Sequence, residues 1–318
     1  MKSVYREARW AKLQEKKEAG ELVSYDFIGK QGEVSYRFIK KRAGFIDDVQ
    51  YYDISSYRGT GGPCIEWCND GQELELMKSF TQDFQQYCKN NNIIAEFAKL
   101  DPWAANASVI SEVLGAEFYG YFYCNDLTEN FYEKAYNRRS KRAIKKAIDA
   151  NVSVKFDFDG VTIPKFLELY QNTVDKFQVS AYYKFTAEEL EEYFEVLCFF
   201  SNAVKDGEII TSVLSVMSED IVHYLYLGSN PEFAHCQANS LLTYQTSLLG
   251  KQYGRKLIDM GGGKKDGNIE QFKLNFVAEN GVIPYYAIKK IHNQTIYDTM
   301  VQKAGAIINP VFFPLYRG

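Results

Sequence analysis

Residues 256–276 read KLIDMGGGKKDGNIEQFKLNF. An apolar run of strand length is followed by three glycines, two lysines and an Asp-Gly pair, and then by a short amphipathic segment. The pattern is strand, turn, helix. Such a turn presents backbone N–H groups and a helix start to an anion, and the same turn also serves simply to let helix and strand approach each other. It is neither a Walker loop nor Gly-x-Gly-x-x-Gly. Ile269, Phe272 and Phe276 fall at i, i+3 and i+7 and are expected to face inward, which puts Lys273 at the edge of an apolar face. From there the side chain either aims its ammonium into a cleft or lays its stem along the core with the charge in water.

Working outward, the same order of elements occurs twice. The helix SLLTYQTSLLGKQYG (240–254), the strand KLIDM, the glycine turn, the short helix and the strand GVIPYYAI follow one another in the second half. In the first half, a helix over 72–89 leads to the strand IIAEFAKL (93–100), a short helix over 107–114 and the strand AEFYGYFYC (116–124). The two series are offset by roughly 160 residues, the mark of an internal repeat. Ahead of them lie a charged helix over 4–19 and a meander of three strands, ELVSYDFIG, EVSYRFIKK and DVQYYDI. The expectation is an α/β protein of mixed sheets in two domains, 1–145 and 146–307, with residues 308–318 returning as a strand to the first.

Composition narrows the class of function. At 318 residues, with 46 % hydrophobic and 25 % charged residues, the chain builds a sizeable core. Its net charge of −4 argues against a protein that coats nucleic acid, so any contact with a polyanion must be local. The charged amino-terminal stretch offers no apolar core for a signal peptide, and a cytoplasmic protein is expected. The six cysteines are scattered, Cys64 and Cys68 being the one close pair, and the histidines are His223, His235 and His292 alone. Thiols, and no metal site, are expected from that distribution.

Two further stretches bear chemistry. In SSYRGTGGP (55–63), Gly59, Gly61 and Gly62 let backbone pass close to a ligand while Tyr57 and Arg58 supply a stacking face and a fixed charge; a plain loop has the same composition. In RRSKRAIKK (138–146), six cations, among them Arg138, Arg139 and Arg142, share a helix whose apolar side is Ala143, Ile144, Ala147 and Ile148. Such a helix either holds phosphates or presents a solvated face. There is no Gly-x-Ser-x-Gly and no His-Glu-x-x-His, and no nucleophile stands out. Direct transfer between two bound substrates, driven by positioning and charge stabilisation, is the chemistry this leaves.

The succession YYDISSYRGTGGP, NIIAEFAKLDPW, RRSKRAIKKAIDANVSV, FLELYQNTVDKFQVSAYYKFTAEEL, YLYLGSNPEFAHCQANSLLTYQ and LIDMGGGKKDGNIEQFKLNF resembles the Fem-type acyltransferases, which include the ligases of peptidoglycan interpeptide bridges. The resemblance implies two tandem GNAT-like domains, the first for the acceptor and the second for the activated donor. It implies that Lys273 stabilises the oxyanion while Phe272 shapes the acyl pocket. It further implies donor binding by Gly261, Gly262, Gly263, Lys264, Tyr226 and Asn239, acceptor binding by Tyr57, Arg58, Gly61, Gly62 and Lys99, and phosphate or tRNA binding by Arg138, Arg139 and Arg142. The implied co-substrate is aminoacyl-tRNA or acyl-CoA, with no tightly bound cofactor, and the acceptor is an amine of a cell-wall precursor. A monomer or weak oligomer is expected. Three departures from the family pattern stand out: SYRGTGGP is one residue longer than the usual PYGYGGP, GSNPEFAHCQANSLL lacks the GNAT pyrophosphate-loop pattern, and no coiled-coil arm interrupts the second half. The alternatives are an acyl-CoA-dependent N-acetyltransferase on a small amine or amino sugar, and a non-catalytic module that docks RNA or an acidic protein on the basic helix.

Overall fold

The computed structural model describes residues 1–104, 106–177, 183–262, 267–305 and 309–318. In chain order the first elements are α1 (Ala8–Glu18), β1 (Glu21–Ile28), β2 (Gly32–Ile46), β3 (Val49–Ser55), β4 (Cys64–Cys68), α2 (Glu73–Asn90), β5 (Ile93–Lys99) and α3 (Ala107–Val113). There follow β6 (Glu117–Asp126), α4 (Phe131–Lys134), α5 (Arg138–Asp149), β7 (Ser153–Asp157), α6 (Ile163–Phe177), α7 (Ala187–Tyr193), β8 (Cys198–Lys205), β9 (Glu208–Met217), β10 (Ile221–Ser229), α8 (Ala238–Gln252), β11 (Leu257–Gly262) and α9 (Asn268–Lys273). The chain closes with β12 (Val282–Ile291) and α10 (Gln294–Ala304). The α/β class and the repeated series are those the sequence predicts.

Contacts divide the chain into two compact units. Unit 1 holds Met1, Tyr5–Tyr119 and Pro284–Gly318, and unit 2 holds Lys2–Val4 and Gly120–Ile283. In unit 1 the strands run β1-β2-β3-β5-β12 with β4 also on β2, and every pairing is antiparallel except β3 with β5. β5 is buried on both faces, which is why its sequence is continuously apolar around Glu96. On one side α2 lays Leu76, Met77, Phe80, Phe84 and Cys88 against the sheet at helical spacing. On the other, Tyr297 and Met300 of α10 cover Ile94 and Ala95. The closing residues 309–318, expected as a strand, instead make turns and a short 3-10 helix at Leu315–Arg317. They are tied down by Arg317 Nε and Tyr316 Oη, which donate to the buried Asp53 carboxylate at 2.7 and 3.0 Å. The prolines at 310 and 314 remove two ladder donors from that short stretch.

Unit 2 repeats the scheme with strand order β6-β11-β10-β9-β8-β7, and among the described residues its one parallel pair is β10 with β11. The repeat is exchanged at its last strand: β6, from the first series, pairs with β11 in unit 2, and β12, from the second, pairs with β5 in unit 1. α8 packs Leu241, Leu242 and Leu249 into a core with Phe199, Ile210, Val222, Ile258 and Phe276. α5 starts on Asn137, whose side chain accepts from the N–H groups of Arg139 and Ser140. It buries Ser140, Ile144 and Ala147, whereas Ile148, expected on the apolar side, is exposed.

Candidate active site

In unit 2 the parallel ladder of β10 and β11 has three rungs, Ile221 with Leu257, Val222 with Ile258 and His223 with Asp259, and ends there. Immediately beyond, β10 carries a bulge between Tyr224 and Tyr226 where it pairs with β9. Between Asp259 and Gly262, β11 likewise slips register against β6. Bulges bend strands and end pairing, and the ladder between these two strands stops on the side of the glycine turn. Where a parallel ladder ends, backbone N–H and C=O groups are left to pair with something other than sheet.

Lys273 ends α9 and reaches the end of this ladder. Its Nζ donates to the carbonyls of Gly261 at 3.0 Å and Gly262 at 2.5 Å, and lies 5.8 Å from the Tyr123 ring centre. Gly261 has φ +71°, and a Cβ built there would lie 3.7 Å from that same Nζ and 3.9 Å from the Tyr224 carbonyl. A glycine therefore belongs at this position for its backbone conformation first and for the nearness of Lys273 second. Burial pushes the Lys273 ammonium down to about 8, partly offset by the charge of Asp259. Phe272 is half-buried, with its ring 4.9 Å from that of Phe276. The helix presents a different face from the one its spacing predicts: Ile269 is 48 % exposed, and Glu270 is buried and accepts from the Tyr123 hydroxyl. α9 is only six residues long, too short for the periodicity of an extended helix to dictate its buried face.

Beside Phe272 lies a cavity of about 230 Å³ lined by Arg139, Ser140 and Ala143 of α5, by Gln237 and Ser240 at the start of α8, and by Asn268, Gln271, Phe272, Asn275 and Phe276. The beginnings of two helices thus meet at one cavity, with an exposed guanidinium beside them. Both helix dipoles and that charge favour an anion. Asn239, in the first turn of α8, accepts from the Tyr224 hydroxyl at 3.1 Å. Tyr226 points elsewhere, with its ring 4.9 Å from that of Phe185 and 6.0 Å from that of Tyr170. Arg138 and Arg142 are exposed on α5 and do not line the cavity, while neighbouring Lys141 and Lys145 are paired with Glu133 and Asp149. Gly263 and Lys264 lie outside the described residues.

The stretch 55–63 in unit 1 is more closed than its composition suggests. Tyr57 is buried and donates to the Tyr5 carbonyl at 2.6 Å, so its ring is no open stacking face. Arg58 is 6 % exposed. Gly61 donates to the Lys99 carbonyl at 2.7 Å, and Gly62, at φ +84°, would drive a Cβ to 2.5 Å from Leu100. Lys99, at the end of β5, has its pKa lowered by burial and by Arg58 against the opposing pull of Glu18, and its Nζ lies 5.8 Å from the Tyr119 ring centre. The charge of the buried Arg58 thus bears on the half-buried ammonium of Lys99.

The sequence reading missed Tyr123, Tyr224, Ser240 and Glu270. Tyr224 was within reach: strand alternation puts Tyr224 and Tyr226 on one face, and only the bulge at Leu225 separates them.

Residues 134–274 match the family model described as an acetyltransferase (GNAT) domain. No curated protein sequence matches the chain. Among solved structures, FemX is similar over 93 % of this chain and 94 % of its own, with TM-score 0.67 and 14 % identity. The C-terminal domain of a putative lysylphosphatidylglycerol synthetase from Agrobacterium fabrum is similar over 91 % and 89 %, with TM-score 0.54 and 10 % identity. A tandem GNAT protein from the clavulanic acid biosynthesis pathway is similar over 90 % and 94 %, with TM-score 0.50 and 9 % identity. With a GNAT domain matched at residues 134–274 and an architecture similar to that of FemX over 93 % of its length, the chain has a tandem GNAT-like acyltransferase fold.

Proposed function

We propose that the protein transfers an activated aminoacyl group onto an amine of a peptidoglycan precursor, with Lys273 as the group that meets the developing negative charge. The observation that carries this reading is the position of the Lys273 ammonium, half-buried and held on the Gly261 and Gly262 carbonyls where the β10–β11 ladder ends. A carbonyl oxygen arriving there would replace weak backbone acceptors with an oxyanion. The gain is realised only in the transition state. The donor's phosphates fit the cavity at Arg139 and the start of α8, and Phe272, which lines the same cavity, packs the acyl end. In the reaction the amine nitrogen bonds to the carbonyl carbon, the bond from that carbon to the donor's oxygen or sulfur breaks, and the leaving group receives the proton the amine gives up. The resemblance of the sequence motifs to the Fem-type acyltransferases, with which the fold similarity to FemX agrees, supports an aminoacyl donor and a cell-wall acceptor.

A second reading, acyl-CoA-dependent N-acetylation, is favoured by the GNAT domain match and by the short parallel ladder. Mass spectrometry of amine acceptors incubated with the protein separates the two. Aminoacylation of a UDP-linked muropeptide by charged tRNA is expected. Acetylation by acetyl-CoA alone would move the assignment to the second reading, and no acyl transfer from either donor would contradict both.

A further inference from the structure

The last rung of the β10–β11 ladder is also a side-chain clasp. His223 and Asp259 are fully buried, at 0 % and 1 % exposure, and His223 Nδ1 lies 3.0 Å from Asp259 Oδ2. A carboxylate only accepts, so the imidazole donates. The other ring nitrogen is 3.4 Å from Ser3 Oγ, on the segment Lys2–Val4 that belongs to unit 2. The second carboxylate oxygen accepts the Gly261 N–H at 2.7 Å, the turn by which an Asp holds the backbone two residues on. One carboxylate therefore joins the end of the ladder to the glycine whose carbonyl holds Lys273.

We propose that Asp259, clasped by His223, is a positioning residue for Lys273: its geometry fixes the Gly261 turn that places the ammonium, and its negative charge stands at that turn. This rests on the role given to Lys273 above. The direction of the Asp259 effect on Lys273 agrees with it. Among the described residues, the other groups facing the site have partners of their own. On β6, Tyr123 turns its ring toward Nζ and gives its hydroxyl to Glu270 of α9, and Cys124, opposite Asp259, is kept a thiol by burial and by that carboxylate, with its pKa pushed up to about 12. On β10, Tyr224 gives its hydroxyl to Asn239. That leaves Asp259 as the carboxylate joined to Lys273 through the turn.

Competitive acetylation of Lys273 by acetic anhydride over a pH series, read by mass spectrometry on the full chain, tests this without knowledge of the substrate. Wild-type Lys273 is expected to reach half-reactivity near pH 8. Asp259→Asn, which keeps an acceptor for Gly261 and removes the charge, should lower that midpoint. His223→Gln, which keeps the charge and loosens the clasp, should raise it toward the ordinary lysine value as water reaches the turn. A folded Asp259→Asn protein with an unmoved midpoint overturns the proposal while leaving the role of Lys273 standing. If that variant does not fold, an unmoved midpoint in His223→Gln overturns it. A wild-type midpoint near 10.5, the ordinary lysine value, removes the desolvated ammonium itself and the proposed function with it.

Discussion

A desolvated lysine is an unfavourable group to keep in a fold, and the proposed reading gives Lys273 a catalytic reason to be kept. Its ammonium is charged below about pH 8 and neutral above, so oxyanion stabilisation is expected to fade on the alkaline side, with turnover falling along a limb of apparent pKa near 8. The effect on stability has the opposite course. In the unfolded chain the lysine titrates at its ordinary 10.5, so between about 8 and 10.5 the unfolded state holds a proton the folded state lacks. This group's contribution to stability therefore rises with pH across that window. Titration of activity and of chemical unfolding on the same sample checks both signs. At this scale the sequence was partly legible. Lys273 and the glycines were visible as a local pattern, but the clasp that supports them joins residues 36 positions apart, brought together only by strand register.

Elements set which of the expected site residues can act together. The beginning of α8 and the first turn of α5 share a cavity with Phe272, and of the three arginines singled out on α5 only Arg139 lines it. Arg139→Glu is expected to raise the KM for the donor roughly tenfold or more, the scale of one charge-assisted hydrogen bond, with kcat little changed. Arg138→Glu should do much less, and initial-rate kinetics with both variants distinguishes a built contact from general attraction. Helix periodicity holds over α2, where eighteen residues carry an apolar stripe, and fails at α9, where six residues let Glu270 rather than Ile269 turn inward. In β10 one extra residue breaks the strand alternation, sending Tyr224 to Asn239 and Tyr226 into an aromatic cluster. The glycines at 61 and 62 proved to be pinned to β5, a close approach that composition alone does not distinguish from a ligand loop.

Across the whole molecule, the repeat in the sequence foretold the tandem fold, because both series keep the order of helix, strand, short helix and strand. It could not foretell the exchange of β6 and β12, since a strand of either series satisfies the same pattern. The exchange has a consequence for folding. A chain ending at Ile283 would lose β12 from the edge of β5 and α10 from Ile94 and Ala95, exposing a bare strand edge and apolar surface in unit 1. Because unit 1 loses α10 as well as β12, limited proteolysis is expected to cut such a chain within residues 5–119 sooner than within 120–283.

The central claim is that Lys273 serves catalysis at some expense to stability. The most direct measurement is turnover and thermal unfolding of Lys273→Met side by side with wild type. The side chain's hydrogen bonds go to the carbonyls of Gly261 and of the exposed Gly262, and removal of a desolvated charge favours folding. A melting temperature equal to or above that of wild type, with acyl transfer reduced by roughly 10²-fold or more, is the predicted result. A variant that melts as predicted yet transfers acyl groups at the wild-type rate would contradict it.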